Sequence, residues 1–357
     1  MTDISRRKAD HLDLTISGDV GFKSKTTLFE DVRLIHNALP ELAVDEVDLG
    51  TRILGKRLRA PLLIAAMTGG TERAERINRE LASIAEECGY AFGLGSQRAM
   101  HKRPGAVSTY QVRDVAPTAL VLGNVGIVQA HAMQVSEIRQ LVEGVAADAL
   151  CVHLNPAMEV VQDDGDRDFR GGLDTLAQLV RELGTPVVAK ETGCGISGDV
   201  ARRVRSVGVR HVDVSGAGGT SWVAVEVHRA SEERKPIGQS FWDWGIPTAA
   251  SVALTAAEGF ETIFATGGVQ TGLDVARAIV LGADAAGIAR PVLQAFDAGG
   301  RDGAVRFLKG IETELRTAML LVGARDIAAL KRVPRVIMGE LREWMQQLAP
   351  SSRRSEV

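Results

Sequence analysis

Short apolar runs, each followed by a longer amphipathic stretch, pattern the chain from residue 61 to residue 289. The runs are Pro61–Met67, Ala91–Gly95, Ala119–Asn124, Ala149–Leu154, Pro186–Lys190, His211–Ser215, Thr262–Thr266 and Ala285–Ala289. They are apolar at successive positions and partly β-branched, which predicts strands buried on both faces of a parallel sheet. Between them apolar residues fall at helical spacing. Ile77, Leu81, Ile84, Ala85 and Cys88 make one stripe, and Gly89 follows as a helix stop. The pattern recurs in Leu176, Leu179, Val180 and Leu183 before Gly184, and in Val200, Val204 and Val207 before Gly208. It returns in Leu273, Ala276 and Val280 before Gly282, where Thr271 and Asp274 form an expected capping pair.

Strand then helix, eight times over, predicts an α/β chain folded as a closed (β/α)8 TIM barrel. The alternative, an open doubly wound sheet, usually carries a Gly-x-Gly-x-x-Gly turn after its first strand. Here Met67-Thr68-Gly69-Gly70 stands in that place. Residues 1–58 are an N-terminal extension expected to pack on or over a barrel of residues 59–348. A long loop after strand 6, residues 223–247, holds Phe241, Trp242 and Trp244 without a clean period. It reads either as a lid or as an irregular helix pair on the rim. The polar tail, 349–357, is expected to be disordered.

Composition narrows the partners. A 357-residue chain, 45% hydrophobic and 24% charged, has the balance of a soluble globular enzyme. Its net charge of −3 offers no global positive field for nucleic acid. No apolar run approaches the roughly twenty residues of a membrane helix, and the N-terminus lacks a signal-peptide core. Three separated cysteines without a CxxC pair fit a reduced, cytoplasmic protein and argue against a disulfide framework or zinc site.

Barrel active sites lie where strands end. The strand ends here are Thr68-Gly69-Gly70, Ser96-Gln97-Arg98, Asn124, His153-Leu154-Asn155, Lys190-Glu191, the Ser215–Thr220 stretch, Gly267-Gly268 and Ala289-Arg290. One polar strand end is commonly structural. So many converging on one mouth would each need a buried partner, and together they predict a site. Glycines after strands six to eight let backbone amides approach a phosphate, although Gly267-Gly268 also suits a simple tight turn. Lys190 brings an ammonium to the mouth, where it suits an anionic flavin edge or a substrate phosphate. The run Arg6-Arg7-Lys8-Ala9-Asp10-His11 is either solvated surface or a segment that folds over a diphosphate. Glu159, four residues after Asn155, is a candidate oxygen ligand for Mg2+. Asp163, Asp164 and Asp166 suit a solvated acidic loop equally well.

Taken in order, Arg7-Lys8-x-Asp10-His11, Met67-Thr68-Gly69-Gly70, Gly95-Ser96-Gln97-Arg98, His153-Leu154-Asn155-Pro156, Val188-Ala189-Lys190-Glu191, Ser215-Gly216-x-Gly218-Gly219-Thr220-x-Trp222, Trp244-Gly245-Ile246-Pro247-Thr248-Ala249 and Gly267-Gly268 form a specific set. The chain resembles the type 2 isopentenyl-diphosphate Δ-isomerases, FMN-dependent barrel enzymes, over nearly its whole length to Gly323-Ala324-Arg325. The resemblance implies conversion of isopentenyl to dimethylallyl diphosphate, with FMN held by Met67, Thr68, Gly69, Ser96, Asn124, Lys190, Ser215, Thr220, Gly267, Gly268, Ala289 and Arg290. It implies substrate contacts from Arg7, Lys8, His11, Ser96, Gln97, Arg98, His153 and Asn155, and Mg2+ at Glu159. Catalytic positions would be His153, Lys190 and Met158, with FMN reduced by NAD(P)H and the chain a homotetramer or other homo-oligomer. Met158 is a departure, since many members carry there a glutamine assigned to proton handling. A thioether has no exchangeable proton. The proton work then falls to flavin and water, or to Gln162, or the activity is altered. Two rival readings are an oxidoreductase of the 2-hydroxy-acid oxidase type and a non-catalytic flavin or prenyl-diphosphate binder. The oxidases resemble one another in a His–Arg pair and active-site tyrosines, whereas Tyr90 and Tyr110 here lie at no strand end.

Overall fold

The computed structural model describes residues 3–348, with backbone alone for 3–7 and 104, so the expected tail at 349–357 lies outside the described residues. All eight expected strands form: β1 (Leu62–Ile64), β2 (Ala91–Gly93), β3 (Leu120–Gly126), β4 (Ala149–Leu154), β5 (Val187–Glu191), β6 (His211–Asp213), β7 (Thr262–Ala265) and β8 (Ala285–Ile288). Each pairs parallel with the next, and β8 pairs with β1, which closes the barrel. Several ladders stop before the apolar run does. Beyond Ile64, Ala65, Ala66 and Met67 line the mouth instead of extending the sheet.

The barrel interior is filled by modest side chains, among them Leu63, Ala91, Leu122, Cys151, Val188 and Phe264, all buried. Ile53 and Leu58 join this cluster from an antiparallel hairpin, Thr51–Ile53 with Lys56–Leu58. Lys56 Nζ donates to the carbonyls of Thr118 and Ala119, just before β3, so the hairpin plugs the end opposite the strand tips. One end is therefore stoppered, and the other is left for chemistry.

Helix α1 (Asp3–Ser17) precedes the barrel and α2 (Glu72–Cys88) follows β1. The side chain of Thr71 caps α2 by accepting from Ala74 N, and Gly89 ends it at φ 70°. Leu81 and Ile84 on its stripe are fully buried. Removing each from water contributes about 1.5–3 kcal/mol. The expected pair at Thr271 and Asp274 is a reciprocal capping box on helix Gly272–Leu281. Helix α3 (Pro156–Val161) leaves β4 directly.

The segment after β6 resolves into a helix pair on the rim, α4 (Trp222–Val227) and α5 (Lys235–Ser240). Trp242 is 7% exposed, and its indole N–H donates to Gly21 O at 2.8 Å. Phe241 and Trp244 remain exposed. The N-terminal region is stitched down along its length. Phe22 N donates to Gly219 O, and Val32–Leu34 pairs antiparallel with Arg335–Ile337. Among the described residues no helix is long and apolar enough to cross a membrane, and Cys88, Cys151 and Cys194 are free.

Candidate active site at the barrel mouth

Parallel register decides which strand-end side chains become neighbours. Gly126, His153, Lys190 and Asp213 are paired in one row across β3 to β6. Around them a cavity of about 580 Å³ opens at the strand tips. Every barrel strand contributes to it: Met67 and Thr68 after β1, Ser96 and Arg98 after β2, Asn124 in β3, His153 in β4 and Lys190 in β5. Ser215 and Thr220 after β6, Gly267 and Gly268 after β7, and Ala289 and Arg290 after β8 complete the ring. Lys8 and His11 of α1 and Asn155, Met158 and Glu159 at α3 also line it. The Arg7 side chain lies outside the described residues.

Lys190 Nζ lies 2.6 Å from Asp213 Oδ2, and Thr266 Oγ1 donates to Asp213 Oδ1 at 2.5 Å. All three side chains are buried. Burial leaves this ammonium and carboxylate little solvent to share, so each depends on the other. Asp213 escaped the sequence reading because its pairing is visible only in the register. Lys190 therefore reaches the cavity as part of a neutralised pair rather than as a bare cation.

His153 Nδ1 is 2.8 Å from Asn124 Oδ1, an oxygen that can only accept. That partner assigns the ring proton to Nδ1 and leaves Nε2 as the lone-pair nitrogen. Burial, followed by the charges of Lys190, Arg98 and Lys8, lowers the imidazolium pKa from 6.5 to about 4. His153 is uncharged at neutral pH. An arriving anion would offset the part due to those cations but not the burial.

The cationic end is framed by Tyr110, a second residue the sequence did not nominate. Lys8 Nζ donates to Tyr110 Oη at 2.6 Å and to Ser96 O at 3.1 Å, while the phenol donates to Ser96 O at 2.7 Å. Burial holds this phenol well above the usual tyrosine range. A Cβ at Gly69 would stand 2.1 Å from the Tyr110 ring, so this glycine serves ring packing and does not line the cavity. Arg98 Nε is buried and has no hydrogen-bond partner among the described residues. Gln97, expected on the substrate, points away. Its Nε2 donates to Leu141 O at 2.8 Å and its Oε1 accepts from Asn124 N at 2.9 Å, which spends the amide on the scaffold.

The opposite end is a glycine cradle. Gly218, Gly267 and Gly268 have φ of +116°, +97° and +75°, values that L side chains rarely adopt. A Cβ on Gly219 would lie 2.3 Å from Gly268 N, and one on Gly267 would lie 2.1 Å from Gly216 O. Backbone packing alone requires glycine here, and it leaves the peptide groups facing the cavity, as phosphate binding by main-chain amides needs.

On α3, Glu159 is 5% exposed. Its Oε1 accepts from Asn155 Nδ2 and its Oε2 from Asp166 N, both at 2.8 Å. Among the described residues no group of three or more His, Cys, Asp or Glu could hold a metal. A single carboxylate fits Mg2+, which takes the rest of its shell from water and phosphate oxygens. Met158 Sδ lies 3.9 Å from Asn155 Nδ2. Asp163 is committed to Ser231 on the rim. Glu191 Oε2 accepts four successive amides, Thr192 to Gly195, and builds the loop after β5. Helix α1 is latched over the mouth by His11 Nε2, 2.8 Å from Glu226 Oε1, and by its edge-to-face packing on Trp222.

Comparison with known proteins adds a lineage to this geometry. The family model for FMN-dependent dehydrogenases matches residues 2–103 and 130–335. The isopentenyl-diphosphate delta-isomerase of Pyrococcus abyssi is 43% identical over 350 residues, covering 96% of this chain and 94% of the relative. That of Methanothermobacter thermautotrophicus is 44% identical over 345 residues, covering 96% of both chains. Among solved structures, a mandelate oxidase variant with an FMN adduct aligns at TM-score 0.63 and 18% identity, covering 94% of this chain and 100% of that one. Flavocytochrome b2 with sulfite bound aligns at 0.67 and 17% identity, covering 98% of this chain and 88% of that one. At such identities the last two share the fold alone.

Proposed function

The chain belongs to the isopentenyl-diphosphate delta-isomerases, and from that premise we propose how its residues divide the work of moving a double bond. It is an FMN-dependent isomerase that converts isopentenyl to dimethylallyl diphosphate. One observation supports placing the reaction at the barrel mouth: a cavity receives polar groups from all eight strand ends, with a glycine cradle among them and a cationic rim.

FMN would be held by Met67, Thr68, Ser96, Asn124, Lys190, Ser215, Thr220, Gly267, Gly268, Ala289 and Arg290, with electrons drawn from NAD(P)H. When bound in its reduced form, it supplies a proton source and an electron-rich face for a reaction with no net redox change. Lys8, Arg98 and His153 hold the diphosphate, joined by Arg7, His11, Ser96 and Asn155, and Glu159 carries Mg2+. The orphaned Nε of Arg98 supports this, because a buried guanidinium N–H calls for an acceptor. Anchoring the charged end fixes where the alkene stands, and α1 over the mouth keeps water out. Protonating the terminal methylene makes a tertiary cation, and loss of a proton from the carbon beside the diphosphate arm completes the shift. Met158 has no proton to give at its place in the wall, so neither the acid nor the base of the shift is this side chain. The free cysteines support a cytoplasmic setting, and the exposed Phe241 and Trp244 support a homo-oligomer.

The test is to incubate anaerobically reduced enzyme with isopentenyl diphosphate and Mg2+ in deuterated water. Dimethylallyl diphosphate carrying deuterium is expected. Binding without either product or label would overturn the reading in favour of a non-catalytic homologue.

A further inference from the structure

We propose that the Gln162 side-chain oxygen accepts a hydrogen bond from a water of the divalent cation held at Glu159, making Gln162 a positioning residue of the metal shell. The proposal rests on the reading that places Mg2+ at Glu159. Asn155, Glu159 and Gln162 stand at i, i+4 and i+7, from the N-cap of α3 to its C-cap, a spacing that puts them on one side of the helix. All three line the cavity. Gln162 is 5% exposed, and its buried Oε1 has no hydrogen-bond partner among the described residues.

A buried amide oxygen without a donor costs about as much as a lost hydrogen bond, so it calls for a ligand group. Its position is fixed by the main chain. Gln162 N donates to Met158 O at 3.1 Å, and Gln162 O accepts from Arg167 Nη2 at 2.6 Å and from Gly165 N at 3.2 Å. The chemistry of the site's components selects the partner. A carbonyl oxygen can only accept. The isopentenyl chain has no N–H or O–H, and the diphosphate presents acceptors alone. The residues that would hold FMN lie at the strand ends and not on α3. A hydrated Mg2+ keeps several waters, and each is a strong donor. Glu159 is already turned by Asn155 and Asp166, so the three side chains offer such an ion a preset oxygen face.

The experiment is calorimetric titration of the oxidised, FMN-loaded enzyme with inorganic pyrophosphate, in Mg2+ and in EDTA. The readout is the ratio of the two dissociation constants. Wild type is expected to bind more tightly with Mg2+, and Gln162→Leu to shrink that advantage about tenfold. Gln162→Glu, which keeps an acceptor of the same reach, is expected to retain it. An unchanged ratio in Gln162→Leu, with the advantage lost in Glu159→Gln, overturns the proposal and leaves the metal reading intact. An advantage that survives Glu159→Gln, or is absent in wild type, overturns both. Should Gln162→Leu fail to hold FMN, Gln162→Glu decides alone, and loss of the advantage there overturns the proposal.

Discussion

Removing the Asp213 carboxylate should expose how much of the barrel mouth depends on one buried charge pair. At 2.6 Å the Lys190–Asp213 attraction is about 6 kcal/mol at an effective dielectric of about 20. Desolvating both groups offsets most of it, so the pair as a whole adds little to stability. Asp213→Asn retains shape and a carbonyl acceptor but leaves the ammonium buried without its counter-charge. Breaking such a pair on one side costs about 3–5 kcal/mol. For 357 residues, an unfolding entropy of about 2.1 cal/mol/K per residue gives about 750 cal/mol/K, so the melting midpoint should drop by about 4–7 °C. The assay is thermal unfolding of the FMN-free protein followed by tryptophan fluorescence, so that cofactor contacts of Lys190 do not enter. Adding Lys190→Met to Asp213→Asn should recover at least half of the loss, since no charge is then left unpaired. A drop under about 1 °C in the single variant, or no recovery in the double, would refute the argument that these charges are desolvated and mutually dependent.

Three further outcomes follow from the site. Because His153 titrates near 4 when folded against 6.5 ordinarily, the unfolded chain binds the extra proton between those values. Stability should therefore fall as pH drops through that window, by at most about 1.4 kcal/mol per pH unit, and His153→Asn should flatten the profile measured by urea unfolding. Gly268→Ala puts a Cβ 2.4 Å from Thr27 Cγ2 at φ +75°, so FMN affinity measured by flavin fluorescence should fall at least tenfold, with about 2 kcal/mol of stability lost. Met158→Gln should retain or raise the rate of deuterium-labelled product formation, and a large fall would assign the thioether a role of its own.

The barrel was legible because hydrophobic periodicity reports burial, and burial on both faces separates parallel strands from everything else here. The same signal placed strand ends too late. Ala65 to Met67 are apolar because they wall the mouth, and periodicity cannot separate that from a ladder. Residue type alone nominated Lys190, Asn124 and His153, and the structure brings them together. Side-chain direction stayed hidden, so Gln97 was grouped with its neighbours Ser96 and Arg98 although its amide faces the scaffold. Asp213 and Tyr110 depend on contacts between distant parts of the chain, at separations of 23 residues for Lys190–Asp213 and 102 for Lys8–Tyr110. No local pattern encodes such distances.

The antiparallel pairing of Val32–Leu34 with Arg335–Ile337 makes early and late portions of the polypeptide direct neighbours. During synthesis α1 emerges long before Arg335–Ile337, so the ladder that anchors its connecting segment waits for a strand made far later. That ladder can close only after Gly218, Gly267 and Gly268 have been made, so the glycine floor of the pocket precedes the full anchoring of its roof.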